Sequence, residues 1–316
     1  MINNILSVSA STDQTCLSDF SPGDKPWDVH AGERDQVRNL YLESGHPYAR
    51  RITDCSQWLD FALTSTDSDE VAFKLQDSKF CRVRHCPVCQ WRRSLKWRAK
   101  FFQVLPQIRE VYSTARFIFL TLTVKNCDLS DLRSQITIMN QAWGRLVKRK
   151  SFPALGWVRS LEVTKSKDGS AHPHFHCLLM VPTGYFDSSG GYLNQSEWSN
   201  LWQSALKINY TPIVNVKIVK PKLGVEGDGI AAAVCETLKY SVKPDDLVSD
   251  RNWLLGLTEQ LHKVRAVAVG GVLKQYLADL EKEPDDLIHV DDDSIAGIEL
   301  GRLHFKWRYQ TKQYTT

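Results

Sequence analysis

Apolar and polar residues alternate along three stretches in the middle of the chain, residues 116–124, 157–165 and 172–181, which predicts β-strands there. The turn sequence Ser-Lys-Asp-Gly-Ser follows the second strand, so the last two strands are predicted to form an antiparallel hairpin. Helical periodicity covers residues 132–148, and an alanine-rich helix is predicted over 229–243, ended by a proline. This mixture of strands and helices predicts an α+β fold.

Three histidines occupy alternate positions of the last predicted strand, so His172, His174 and His176 share one face of the sheet. Glu162 lies on the partner strand, near the level of His174 or His176. A carboxylate beside two imidazoles favours Mg²⁺ or Mn²⁺ with open positions for a substrate oxygen. His172 is an optional fourth ligand. The competing interpretation is that two of the three histidines are ordinary polar residues of a solvated strand face.

Four of the eight cysteines have the spacing of metal ligands. In Cys86-Pro-Val-Cys89, two intervening residues allow both thiolates to bind one tetrahedral ion. Cys55 and Cys81 complete a set of four ligands for a structural Zn²⁺. His85 is the substitute ligand if one of the first two cysteines is not used. A redox dithiol formed by Cys86 and Cys89 is the competing interpretation.

A basic helix is predicted directly after Cys89, within a chain whose net charge is only +4. Its charged residues favour contact with the phosphates of a nucleic acid, although a solvated helix face would have the same pattern. An acidic stretch follows much later, from Asp279 to Asp293. The predicted DNA-contacting residues are Arg92, Arg93, Lys96, Arg98 and Lys100.

Three residues with complementary chemistry line one stripe of the predicted helix 229–243. Glu236, Tyr240 and Lys243 are spaced at i, i+4 and i+7, which brings a phenol between a carboxylate and an ammonium. A lone tyrosine on a helix is usually a packing residue, but these neighbours favour a chemical role for Tyr240.

These blocks together resemble the rolling-circle replication initiators of small bacterial plasmids, which belong to the superfamily of His-hydrophobe-His endonucleases. The resemblance rests on FLTLTVKN at 119–126, HPHFHCLLMV at 172–181 and ETLKYSVK at 236–243. The block CRVRHCPVCQWRRSLKW at 81–97 is similar to the N-terminal segment of one branch of these initiators. All four occur in the family's order.

The resemblance implies a role for each matching residue. His174 and His176 bind the catalytic Mg²⁺ or Mn²⁺, with Glu162 as the third ligand. Tyr240 attacks the scissile phosphate and forms a 5′-phosphotyrosine link, leaving a free 3′-hydroxyl. Glu236 is the base of the terminating step, and Lys243 stabilises charge near the nucleophile.

The resemblance also implies an antiparallel central sheet of about five strands with the histidines on a central strand and the tyrosine helix against that face. The expected organisation is a poorly ordered region at 1–50, a zinc-binding and basic-helix subdomain at 51–110, the endonuclease domain at 111–282 and a C-terminal tail at 283–316. The expected partners are plasmid double-strand origin DNA, single-stranded at the nick, and a host helicase and DNA polymerase. Without a signal pattern or a long apolar run, we expect a cytoplasmic bacterial protein with no membrane partner.

Three other functions fit parts of the pattern. A transposase with the same nuclease core often carries a second tyrosine one turn from the first, whereas Glu236 and Pro244 occupy those positions here. A conjugative relaxase usually has its nucleophile near the N-terminus. A non-catalytic, zinc-dependent DNA-binding repressor is the interpretation from a different functional class.

Overall fold

In the computed structural model of the chain, the described residues are 15–65, 71–187, 191–220, 229–239, 241–282, 286–289 and 298–316. Residues 22, 65, 71, 72 and 298 are described by their backbone alone. Within these ranges, no helix has both the length and the apolar character that crossing a membrane requires.

Of the nine strands in the described residues, three follow the predicted alternating stretches, two lie later in the middle of the chain and four lie near its two ends. They are β1 (Trp58–Ser65), β2 (Val71–Asp77), β3 (Arg116–Thr123), β4 (Gly156–Lys165), β5 (Ala171–Val181), β6 (Val214–Ile218), β7 (Val267–Gly271), β8 (Ile298–Arg308) and β9 (Gln313–Thr315).

The helices range from single turns to a 25-residue segment. They are α1 (Leu17–Phe20), α2 (Pro26–Glu43), α3 (Tyr48–Thr53), α4 (Pro87–Val111), α5 (Leu132–Leu146), α6 (Gln195–Leu206), α7 (Gly229–Thr237), α8 (Pro244–Val248), α9 (Arg251–Gln260) and α10 (Lys274–Leu277). Short 3₁₀ helices lie at Pro22–Asp24, Leu129–Asp131, Thr183–Phe186 and Ala278–Glu281.

The chain divides into two compact units, and the division differs from the predicted domain boundaries. Unit 1 comprises Met1–Cys89 and Asp293–Thr316, and unit 2 comprises Gln90–Asp292. Residues 1–50 were expected to be poorly ordered, but within the described part of this region α2 and α3 are regular helices with buried faces. The C-terminal segment was expected to be a tail, but β8 and β9 are strands of unit 1.

Unit 1 is built on a four-stranded antiparallel sheet in the order β2-β1-β8-β9. Phe61 of β1 stacks on Phe73 of β2 with ring centroids 4.3 Å apart, and Phe305 of β8 meets Phe61 edge-on at 6.1 Å. These rings form a core that joins strands from both ends of the chain. Burial of such aromatic area is the main reason that the C-terminal strand is held in place.

Unit 2 contains a five-stranded antiparallel sheet in the order β6-β3-β5-β4-β7. The prediction of an α+β fold with an antiparallel sheet of about five strands and the histidines on a central strand is confirmed, since β5 is the third of the five. Helices α5 and α6 cover one face, where Trp143 and Trp202 approach Phe175 of β5. On the opposite face, which carries the histidines, Val234 of α7 packs in one cluster with Val158 and Leu178.

The β4–β5 hairpin sets the positions of the metal-site residues. Its turn closes through a hydrogen bond from the Ser166 amide to the Ser170 carbonyl at 2.9 Å, with Gly169 at a φ of +84° that favours glycine. The resulting register pairs Glu162 with His174 directly across the two strands. The carboxylate therefore lies on the same face as the imidazoles.

Candidate metal centre and its surroundings

Glu162, His174 and His176 form a group whose ligand atoms all lie within 4.8 Å of one another. Glu162 Oε2 is 3.2 Å from His174 Nε2 and 2.8 Å from His176 Nε2. Neighbouring ligands of an octahedral ion with bonds of about 2.1 Å lie about 3.0 Å apart, so both distances from the carboxylate to an imidazole fit neighbouring positions around one Mg²⁺-sized ion. The strand pairing thus brings together the three metal ligands that the sequence predicted.

Hydrogen bonds to the remote ring nitrogens orient both histidines. His174 Nδ1 lies 3.1 Å from the His172 carbonyl oxygen, and because a carbonyl only accepts, Nδ1 carries the proton. Nε2 is then the ring atom of His174 that can coordinate an ion. His176 Nδ1 is 3.3 Å from Thr121 Oγ1, and Phe119 stacks on the same ring with centroids 5.4 Å apart. Thr121 and Phe119 belong to the block 119–126, and the sequence alone did not assign them this supporting role.

The burial and charge of Glu162 and His176 favour the binding of a cation. Burial alone would raise the pKa of Glu162, but its contacts with His174, His176 and Lys239 hold it well below its ordinary value. Glu162 is therefore a carboxylate although its side chain is only 2% exposed. Burial lowers the pKa of His176, partly offset by Glu162, which favours the neutral imidazole that a metal requires.

His172 is not a member of the three-residue group. Its Nδ1 is 2.7 Å from Asn126 Oδ1, and Asn126 in turn donates to Ser166 and Ser170 of the hairpin turn. Burial and the neighbouring His174 lower the pKa of His172. The structure therefore places His172 beside the site, linked to the turn, with its ring 5.3 Å from that of His174 between centroids.

The helix that was predicted to carry Glu236, Tyr240 and Lys243 as one stripe is shorter than expected. Helix α7 ends at Thr237, and Lys243 is extended at φ −66°, ψ 138° immediately before Pro244 and α8. Proline disfavours helical conformation in the residue before it, which explains why the helix does not continue through Lys243. The single-stripe prediction is therefore wrong, and Tyr240 lies outside the described residues.

Lys239, which is not one of the three residues of the predicted stripe, lies beside the Glu162 carboxylate. Its Nζ is 3.0 Å from Glu162 Oε2 and 2.7 Å from Glu236 Oε1. Burial lowers the pKa of Lys239, but Glu236 and Glu162 outweigh that effect and raise it. Glu236 is 47% exposed, and its Oε1 is 4.0 Å from His176 Nε2. Sequence reasoning missed Lys239 because the contact depends on where α7 ends.

The segment after α7 is held by residues at the start of unit 2. Ser94 Oγ donates to the Leu238 carbonyl at 2.6 Å, and Ser241 Oγ is 3.4 Å from Gln90 Oε1. The Val163 amide of β4 donates to the Ser241 carbonyl at 2.9 Å. The residues on both sides of position 240 are therefore fixed against β4 and α4.

The four predicted cysteines also come together, in unit 1. Cys55 Sγ is 3.7 Å from both Cys86 Sγ and Cys89 Sγ, and Cys81 Sγ is 3.7 Å from Cys89 Sγ. A disulfide has sulfurs about 2.05 Å apart. A tetrahedral ion with Zn–S bonds of about 2.3 Å has sulfurs about 3.8 Å apart, so this group fits such an ion. His85 is buried but is not part of it.

Arg34 of α2 supports this cysteine group from inside unit 1. It is fully buried, and its Nη1 donates to the Cys55 carbonyl at 2.6 Å and to Ser56 Oγ at 2.9 Å. Asp35 accepts from Arg34 Nη2 at 2.8 Å and balances its charge. Arg34 lies in the region that the sequence predicts to be poorly ordered, and no motif of that region assigns it a role.

Comparison with known proteins identifies the family. Residues 72–315 match the family described as "Replication protein". The chain belongs to this family. It is 36% identical over 302 residues to "Protein rep" of Lentilactobacillus hilgardii, a match covering 92% of this chain and 95% of that protein. The resemblance to plasmid rolling-circle initiators drawn from the sequence blocks is thereby confirmed.

Further relatives of this replication protein extend over most of its length. It is 36% identical over 256 residues to "Protein rep" of Lactiplantibacillus plantarum, covering 76% of this chain and 81% of that one. It is 32% identical over 323 residues to "Protein rep" of Bacillus amyloliquefaciens, covering 91% and 94%. No solved structure shows a significant match to the chain.

The basic helix of this replication protein is less open than its sequence predicted. Arg92 and Arg93 are only 5% and 6% exposed. Arg92 Nε donates to the Leu287 carbonyl at 2.8 Å, its Nη2 to the Ile288 carbonyl, and Lys96 Nζ to the His289 carbonyl. Arg98 Nη1 donates to Cys235 Sγ at 3.3 Å. Arg92 and Arg93 therefore present little surface to DNA, whereas Lys96, Arg98 and Lys100 keep part of their surface exposed. Contact of these five residues with DNA stays a prediction.

Proposed function

We propose that this replication protein initiates rolling-circle replication of a plasmid by nicking one strand at the double-strand origin and joining its 5′ end to Tyr240. The proposal is carried by the contacts of the two residues that flank Tyr240 in the chain. Lys239 contacts Glu162, and Ser241 accepts from the amide of Val163. Because Glu162 and Val163 are consecutive on β4, both neighbours of Tyr240 are attached to the strand that supplies a metal ligand.

Glu162, His174 and His176 are the proposed ligands of the catalytic Mg²⁺ or Mn²⁺, since their ligand atoms lie within 4.8 Å of one another and combine one carboxylate with two imidazoles. When bound, this ion polarises the scissile phosphate and stabilises its developing negative charge. The remaining coordination positions are open for phosphate oxygens. Burial of Glu162 and His176 excludes water from the protein side of the site.

Tyr240 is the proposed nucleophile. Its phenolic oxygen forms a bond to phosphorus as the bond from phosphorus to the 3′ oxygen breaks, and the departing 3′ oxygen takes up a proton. One phosphodiester replaces another, so no external energy source is needed. A phenol has a reference pKa of about 10, and a bound divalent ion together with Lys243 would favour the phenolate that attacks.

Glu236 and Lys243 complete the proposed catalytic set. Glu236 is the proposed base of the terminating step, where it removes a proton from water or from a hydroxyl group, and its exposed position gives either one access. Lys243 is the proposed stabiliser of charge near the nucleophile. It lies at the N-cap of α8 with its side chain exposed, so contact with DNA phosphates requires no rearrangement of the core.

Origin recognition and strand extension require partners beyond the nuclease centre. The four cysteines are proposed to hold a structural Zn²⁺, and Lys96, Arg98 and Lys100 are proposed to contact phosphates of the origin DNA. The origin must be single-stranded at the nick for the phosphate to reach the recessed site. A free 3′-hydroxyl and a displaced strand are the substrates of a host DNA polymerase and helicase, respectively.

The test is a nicking assay on supercoiled plasmid carrying the cognate origin, with Mn²⁺ or Mg²⁺, comparing wild type with Tyr240→Phe. Removing one hydroxyl leaves the aromatic ring in place, so the variant is expected to bind origin DNA and to form no nick. Wild-type product is expected to carry a protein adduct on its 5′ end that protease digestion removes. Tyr192→Phe is the matched control, since Tyr192 is 46% exposed and lies outside the site.

Each other outcome would replace the proposal with a specific alternative. Nicking by Tyr240→Phe at wild-type rate would show that a different nucleophile or a bound water attacks. Origin binding without cleavage by the wild-type protein, at any divalent ion concentration, would leave a DNA-binding repressor as the function.

A further inference from the structure

The oxygen of Glu162 that contacts both histidines also contacts an ammonium group. Oε2 is 3.2 Å from His174 Nε2, 2.8 Å from His176 Nε2 and 3.0 Å from Lys239 Nζ. All three contacts converge on one carboxylate oxygen in a nearly buried position. A divalent ion that binds both imidazoles and this oxygen would therefore meet Lys239 in the same place.

Lys239 has a second carboxylate within reach. Its Nζ is 2.7 Å from Glu236 Oε1, and Glu236 is far more exposed than Glu162. The ammonium can leave Glu162 and keep its ion pair with Glu236. The charge of Lys239 therefore stays paired after the displacement. Burying the Glu162 carboxylate without a positive partner would cost free energy, which explains why the Lys239 ammonium lies beside it.

We propose that Lys239 is an internal counter-ion that competes with the divalent metal for Glu162. Before metal binding, its ammonium neutralises the buried carboxylate and keeps the three ligands together. Metal binding takes over that neutralisation and transfers Lys239 to Glu236 alone. Lys239 is joined directly to Tyr240, so the exchange also loosens one of the two attachments of the nucleophile's segment to β4. This inference rests on the proposed metal site but not on the identity of the nucleophile.

The exchange predicts that removing the ammonium strengthens metal binding. Two positive charges a few ångströms apart near a partly buried site repel each other substantially, so Lys239→Gln should bind Mn²⁺ about tenfold more tightly than wild type. Lys239→Arg keeps the charge and should stay within about twofold of wild type. The measurement is calorimetric titration of the full-length protein with Mn²⁺, with the cysteine site loaded with zinc beforehand.

Lys282→Gln is the matched control, because it removes the same charge from a side chain of unit 2 that is 78% exposed and is not part of the proposed catalytic set. Its Mn²⁺ affinity should change less than twofold, since an exposed charge is screened. Thermal melts of the variants establish that each one is folded before titration.

The outcomes separate this inference from the proposed function. If Mn²⁺ binds in a His174-dependent manner but Lys239→Gln binds it no more tightly than wild type, the counter-ion role is overturned and the proposed metal site stands. If neither wild type nor Lys239→Gln shows saturable Mn²⁺ binding, the metal site and the counter-ion role are both overturned. Equal tightening by Lys239→Gln and Lys282→Gln would show a general charge effect and would also overturn the counter-ion role.

Discussion

Neighbouring histidines on one strand face have different roles because their hydrogen-bond partners differ. His174 and His176 direct Nε2 at Glu162, whereas His172 has its Nδ1 bound to Asn126 near the hairpin turn. All three residues are histidines at alternate positions of β5, so the local sequence pattern does not distinguish them. The hydrogen-bond partner of each ring therefore separates His174 and His176, the two candidate metal ligands, from His172.

Substitution of single histidines should reveal this difference. His174→Gln removes one of the three ligands and should weaken Mn²⁺ binding by at least tenfold, a loss comparable to that seen when support of a metal ligand is removed. His172→Gln should weaken it by less than about threefold, because a residue beside the site only tunes it. Calorimetric titration with Mn²⁺ measures both.

His172→Gln is also the matched control for His174→Gln, because both variants replace an imidazole by an amide on the same face of β5. Similar losses for the two variants would contradict the three-residue group and make His172 a ligand. In that case the hydrogen bond between His172 and Asn126 would have to break in the metal-bound protein.

The ligand set could be predicted from the sequence because it depends on one short hairpin. A five-residue turn between two alternating strands fixes the register to within a residue or two, which was enough to place Glu162 beside the histidines. Lys239 and Thr121 could not be predicted in the same way. Their contacts depend on the end of α7 and on β3 lying next to β5, and neither is encoded in local periodicity.

At the scale of elements, the end of α7 is decided by tertiary contacts as well as by propensity. The stretch after Thr237 has good helix formers, and only Pro244 signals a stop. In the structure the Leu238 carbonyl accepts from Ser94 and the Ser241 carbonyl accepts from Val163. These bonds satisfy the segment's backbone outside a helix, so it leaves the helical path earlier than the sequence indicates.

The hydrogen bond from Ser94 to the Leu238 carbonyl allows a test of whether tertiary contacts hold the segment after α7. Ser94→Ala leaves the buried Leu238 carbonyl without its hydroxyl donor and should lower the free energy of unfolding by about 1–2 kcal/mol. Urea denaturation measures the loss, and hydrogen exchange should show faster exchange in the segment after α7. Ser94→Thr keeps a hydroxyl and should recover most of the stability. An unchanged unfolding free energy in Ser94→Ala would show that this bond does not hold the segment.

Predicted and observed elements agree where the pattern is local. Strands β3, β4 and β5 begin and end within a residue or so of their predicted limits, and α5 begins at the predicted residue. The sheet of unit 1 was not predicted. β1 pairs with β8, which is more than two hundred residues away in the chain, and no repeat or spacing connects them.

At the scale of the molecule, unit 1 depends on a cysteine group and on a sheet built from both ends of the chain. Burial raises the pKa of the Cys81 and Cys86 thiols well above their ordinary value, so both are protonated at neutral pH when no metal is bound. Metal binding must therefore release at least these two protons. Because protons compete with the ion, affinity should fall as pH falls.

Removal of zinc should consequently destabilise unit 1. After chelation, amides of β1 and β8 should exchange faster with solvent, while those of β3 and β5 should keep their protection, as hydrogen-exchange mass spectrometry can show. Cys86→Ser should reproduce the effect without chelator. Cys127→Ser is the control, since Cys127 is a half-buried cysteine outside the group. Unchanged protection of β1 and β8 in metal-free protein would contradict a structural role for the ion.

The pairing of β1 with β8 also has a consequence for synthesis of the chain on the ribosome. β1 ends at Ser65 and β8 begins at Ile298, so at 5–20 residues per second β1 is made roughly 10–50 s before its partner. All five strands of the sheet in unit 2 are made during that interval. The nascent chain can therefore complete the sheet of unit 2 first, while the edge of β1 is open to wrong pairing until β8 is made.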